Sequence, residues 1–166
     1  MNIDFLHRLL LFIALLLAQV LVLNHIHLFN IATPLLYIYF VISFRRNYPK
    51  WGMLVWSFLL GLCVDIFSNT PGVAAASMTL MAFLQPFILE LFVQRDSDED
   101  LRPCIRTLNL SGYLYYVILI TLNYCLVFFT IETFNFFNWT QWGLSILGST
   151  ALSVVLIVVV DNLRKD

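Results

Sequence analysis

Gly61-Leu62-Cys63-Val64-Asp65-Ile66-Phe67-Ser68-Asn69-Thr70-Pro71-Gly72 is the stretch on which the fold turns. It begins inside an apolar run and ends in the turn cluster 68–72, and a second apolar run opens at Val73. Back to Met53, Asp65 has apolar neighbours apart from Ser57. A carboxylate at the centre of a membrane helix costs about 2.5–3.5 kcal/mol, and less toward the interface. The stretch therefore predicts two membrane helices joined by a tight turn, with a specific interaction offsetting the cost of Asp65.

Composition makes the bilayer the solvent. Of 166 residues, 61% are hydrophobic and 11% charged, with a mean hydropathy of +0.88. Soluble domains run nearer about 45–50% apolar and about 25% charged. A net charge of −1 and the lack of any Lys/Arg-rich groove argue against nucleic acid as a partner. Cys63, Cys104 and Cys125 stand alone without C-x-x-C spacing, which reads as small hydrophobes and not as disulfides or metal ligands. His25 and His27 form a lone pair of imidazoles without a nearby Cys or carboxylate, too few donors for a metal.

A spanning helix needs about 20 residues. Six runs approach or reach that length: 5–23, 28–44, 51–67, 73–93, 112–131 and 140–160. The second is short and carries Pro34 in its first turns. With six spans all nine Lys and Arg residues fall on one side, and the positive-inside rule puts both termini in the cytoplasm. Arg8 before an apolar run resembles a signal peptide, but no small-residue cleavage site follows, which predicts a retained anchor helix. Tyr48, Trp51, Tyr113, Tyr115 and Tyr116 are expected at the inner interface, and Trp139 and Trp142 at the outer. The fold expected over 1–166 is one all-α integral membrane domain, a six-helix transmembrane bundle. Its loops are too short for an extramembrane catalytic domain, and neither a G-x-x-x-x-G-K-[ST] loop nor an H-E-x-x-H pair occurs. That favours a protein that is not an enzyme and carries no cofactor.

Ser57, Gly61 and Asp65 recur every four residues on one face of the third span. Small residues at that spacing let a neighbouring backbone approach, and the fourth span opens with Ala74-Ala75-Ala76-Ser77. Asp65 is then placed to accept hydrogen bonds from the first amides of that span, where the helix dipole also favours it. Recognition of a partner or solute, and relay of protons or ions, stay open as alternatives. A relay wants further ionisable groups, and Glu90 alone lies well inside another span. Glu90 follows Pro86, a predicted kink, and reads as an interfacial carboxylate within reach of Arg95 or Arg102. Ser145, Ser149 and Ser153, with Gly148, mark a close-packing face on the last span. Gln19 and Asn123 are expected to hydrogen-bond between helices.

Gly61-Leu62-x-x-Asp65-x-x-Ser68, followed by Pro71-Gly72 and an alanine-rich helix start, resembles the signature hairpin of the rod shape-determining MreD family. Chain length and span number agree with that likeness, and here Pro71-Gly72 is direct where many members insert an apolar residue. The resemblance implies a bacterial inner-membrane, non-enzymatic subunit of the peptidoglycan elongation machinery. Its implied partners are MreC and, through it, MreB, RodA and a penicillin-binding transpeptidase. It also implies a fold likened to the substrate-binding subunits of energy-coupling-factor transporters. The competing reading, from a different class, is a small solute-binding membrane subunit of a transporter.

Overall fold

The computed structural model describes residues 2–22, 32–93, 100–133 and 138–163. It is all-helical: α1 (Asn2–Leu21), α2 (Ile38–Ile42), α3 (Lys50–Ser68), α4 (Val73–Phe92), α5 (Ile105–Glu132) and α6 (Trp139–Leu163). All but α2 are long and apolar enough to cross a membrane, as a multi-pass membrane protein requires. Their outward side chains are apolar: Ile66, Leu91 and Leu163 are each at least 70% exposed. An apolar surface of this kind suits contact with lipid or with another protein.

In its described part, the helix expected over 28–44 is reduced to the five residues of α2. Residues 33–37 are irregular backbone, and α2 spans five residues. Pro34 is one physical reason, since it lacks an N–H and disfavours helix in the residue before it. The other is burial. Leu35 to Ile42 are all buried, and Ile38, Val41 and Ile42 are wholly inaccessible. Non-helical backbone at membrane depth is tolerated where protein surrounds it and satisfies its polar groups. Here α1, α3, α4 and α5 all pack on α2, and α6 hydrogen-bonds to the irregular residues before it. The segment is thus a central plug ringed by the five long helices.

Neighbour packing of the long helices runs in the order α1, α3, α4, α5, α6, with α3 on α4 the most extensive pair. Arg45 pairs with Asp4 at 3.1 Å, the Arg46 amide donates to the Leu101 carbonyl, and Arg106 and Asp4 line one cleft. Arg8 lies 3.8 Å from the Tyr48 ring centroid, and Lys50 opens α3. The six basic residues among those described therefore gather at one end of the bundle. Arg95, Arg164 and Lys165 lie outside the described residues. The plug carries the chain from the opposite end back to this basic end, so α1 and α3 both start there.

Of the aromatics expected at the interfaces, Tyr113 and Tyr116 are fully buried within the bundle, whereas Trp51, Tyr115 and Trp139 are exposed. Pro86 lies within an α4 that continues to Phe92. The break falls instead in α5, at Asn109 (φ 60°, ψ 158°). That is a strained conformation that glycine adopts far more readily.

Candidate functional site

The hairpin between α3 and α4 is built around Asp65, which is 5% exposed. Asn69 ends α3 in the left-handed region at φ 57°, and its amide donates to the Asp65 carbonyl. Asn tolerates this conformation better than other non-glycine residues, which is why it suits a helix C-terminus. Gly72 at φ 81° opens α4, in the region where a Cβ is penalised. Between these two fixed points the turn brings Pro71 round and points the first amides of α4 back at Asp65. One carboxylate oxygen, Oδ1, accepts from Thr70 Oγ1 at 2.9 Å and from Ala74 N at 2.8 Å. The other, Oδ2, accepts from Ala75 N at 2.9 Å. The carboxylate thus takes up two of the amide donors that a helix N-terminus leaves without partners, and the dipole of α4 adds to the attraction.

Gly61, one turn earlier, sets how close the two helices come. A Cβ built there would lie 2.5 Å from Ala75 Cα and 2.7 Å from the Ala74 carbonyl oxygen. Only a hydrogen fits. Ser57, a further turn back, is wholly buried, and its hydroxyl has no hydrogen-bond partner among the described residues. Ser68, at the end of α3, is half-buried and lines a cavity at this end of the bundle. The structure thus brings Gly61, Asp65, Ser68, Pro71 and Gly72 together in one hairpin and leaves Ser57 in the helix interface beneath it. Thr70, which sequence reading overlooked as a site residue, completes the carboxylate's coordination. A hydroxyl in the turn after Asp65 was the available signal.

No family model, curated protein or solved structure matches this chain.

A second constellation holds the plug. Gln19 on α1 donates to the Pro34 carbonyl at 3.0 Å and accepts from Leu36 N at 3.1 Å. Ser149 and Ser153 on α6 accept from Thr33 N and Leu35 N at 3.1 and 3.0 Å. At the far end, Gln85 on α4 donates to the Phe44 carbonyl at 3.4 Å and to Tyr116 Oη at 2.9 Å. Tyr37 and Tyr124 share a buried hydroxyl–hydroxyl hydrogen bond. Gln19 was expected to bond between helices and instead bonds to irregular backbone. Asn123 returns its amide to the Leu119 carbonyl of its own helix at 2.8 Å, so it makes no such bridge there. Ser149 and Ser153 act as acceptors, not as a mere close-packing face, although Gly148 does meet Ala32 closely. Glu90 is exposed. No metal-holding group of His, Cys, Asp and Glu occurs among the described residues; His25 and His27 lie outside them. The three cysteines are unpaired.

Beside the plug, near the hairpin, is a cavity of about 340 Å³, lined among others by Gln19, Thr33, Tyr37, Ser68, Thr70 and Glu132. Its polar groups are mostly hydroxyl, amide and carboxylate oxygens. It lies at the end of the bundle away from the basic cluster, and Val20, Leu35, Val64, Phe67 and Phe128 make the rest of its lining apolar.

Proposed function

We propose that this chain is a non-enzymatic subunit of the bacterial cell-elongation machinery, a protein of the MreD type that holds its partners together in the inner membrane. The observation that carries the reading is the hairpin. Gly61, Asp65, Ser68 and Pro71-Gly72, the residues that carry the likeness, meet in one turn. Each of Gly61, Asp65 and Gly72 meets a geometric demand there. A rigid hairpin at one end of a lipid-exposed bundle suits a scaffold that presents a fixed surface to a single-span partner such as MreC. With the basic end inside, both termini are cytoplasmic and the Asp65 hairpin faces the periplasm. The test is affinity purification from native membranes in mild detergent with identification of what co-purifies. Recovery of an MreC-type protein supports the reading; a nucleotide-binding transporter subunit in its place refutes it.

The cavity beside the plug favours a second reading, a solute-binding transport subunit. Irregular backbone lining a cavity inside a helical bundle is how many transporters build a binding site. Two observations weigh on the other side: the plug's irregular amides are already bonded by Gln19, Ser149 and Ser153, and the sequence has no internal repeat. Uptake assays in a depleted strain separate the two.

A further inference from the structure

At the basic end, the first turn of α5 is bent away from the rest of the helix. The bend is at Asn109, whose φ of 60° and ψ of 158° fall in a region that glycine alone enters readily. Residues 110–132 are long enough to span a membrane without what precedes them. The sequence before the bend is also compatible with a straight helix. Ile105-Arg106-Thr107-Leu108 holds neither glycine nor proline, and Pro103 would fall in a first turn, where proline is tolerated. The bend is therefore imposed by what residues 101–108 touch.

Several contacts hold this segment down. The Leu101 carbonyl accepts from the Arg46 amide at 3.0 Å, and Arg102 lies 3.6 Å from Asp4 of α1. The Ile105 amide donates to Asp161 Oδ2 of α6 at 3.3 Å, while Asp161 Oδ1 accepts from Tyr39 Oη of α2 at 3.0 Å. Pro103 and Leu108 are buried. Within the segment, Thr107 Oγ1 donates to the Arg102 carbonyl at 2.7 Å and accepts from Cys104 N at 3.0 Å, so the turn closes on itself. A strained backbone persists only where its surroundings over-determine it. A self-closed turn, joined to the span by one strained residue and held by breakable contacts, has two arrangements. We propose that residues 101–108 are a latch hinged at Asn109. Docked, the latch is bent against Arg46 and Asp161. Released, Asn109 returns to helical dihedrals and α5 runs straight past the basic end of the bundle. Because Asp161 also holds Tyr39, the latch links the polar connection before α5 to the plug, whichever partner the bundle serves.

The test is hydrogen exchange at the Ile105 amide, read by fragmentation mass spectrometry on the full chain in a neutral detergent. Wild type is compared with Asn109→Gly, Asn109→Ala, Asp161→Asn and the control Gly72→Ala in the hairpin at the opposite end. Glycine relieves the bent form and disfavours the straight one, so exchange should slow by about fivefold or more. Alanine keeps the strain and favours the straight helix, so exchange should quicken by about as much. Asp161→Asn should also quicken it, with the amides of residues 113–129 staying protected, and Gly72→Ala should leave it unchanged. Asn109 is exposed, so its variants fold even if Asp161→Asn does not. Equal exchange in Asn109→Gly and Asn109→Ala, or opening of Ile105 only together with residues 113–129, would each overturn the proposal.

Discussion

Replacing Asp65 separates the structural role of its carboxylate from recognition of a partner. In Asp65→Leu, the Ala74 and Ala75 amides lose their acceptor while staying buried. Thr70, half-exposed, can turn its hydroxyl toward water. Each orphaned buried donor costs about 1–3 kcal/mol, so the two together cost about 2–6 kcal/mol. Asp65→Asn keeps one acceptor oxygen for Thr70 and Ala74 but sets its NH₂ against the Ala75 amide, a loss of about 1–3 kcal/mol. That difference is large against the total stability of a domain, about 5–15 kcal/mol. Membrane abundance and thermal unfolding in mild detergent should therefore rank wild type, then Asn, then Leu. Gly61→Ala serves as a packing control, because its Cβ would meet the Ala75 backbone with no side chain free to move. Overpacking of that kind costs about 1–3 kcal/mol or more. Equal stability of the Asn and Leu variants would refute the hydrogen-bonding account. Normal abundance in both, with equal loss of a co-purifying partner, would give Asp65 to recognition.

The plug makes its own predictions. Gln19→Leu removes both the Pro34 and the Leu36 partner and should lower stability by about 2–6 kcal/mol, against about 1–3 kcal/mol for Ser149→Ala or Ser153→Ala; unfolding in detergent reads all three. Gly72→Ala should cost about 1–2 kcal/mol, because its φ of 81° penalises a Cβ, and a wild-type midpoint would mean that the turn relaxes freely. For topology, reporters fused after Lys50 and Asp100 should be active in the cytoplasm, and one after Asn69 in the periplasm. A periplasmic signal at Asp100 would break the expected orientation.

The five long helices were legible because an apolar run of about 20 residues has few stable conformations outside a membrane helix. The hairpin was legible for a local reason: Asp65, Pro71 and Gly72 lie within eight positions, so their geometry is set by neighbours in sequence. The plug was not. Its apolar run is nearly as long as a span, and what keeps it irregular is Gln19, Ser149 and Ser153, of which the two serines lie more than a hundred residues away. Pro34 and an unusually regular serine spacing were the only hints, and neither alone predicts a buried non-helical crossing. The Asn109 break in α5 had no signal beyond asparagine's tolerance of positive φ. The burial of Tyr113 and Tyr116 was not legible, because an aromatic near a span boundary reads the same whether it faces lipid or turns inward.

The proposal of a cell-elongation subunit is tested most directly by depleting the protein in its native bacterium and measuring cell width and the position of new wall synthesis by fluorescent labelling. Rounded or swollen cells with dispersed wall synthesis and unimpaired solute uptake are expected. Cells of normal width that require a supplied nutrient would contradict the proposal and give the cavity beside the plug the leading role.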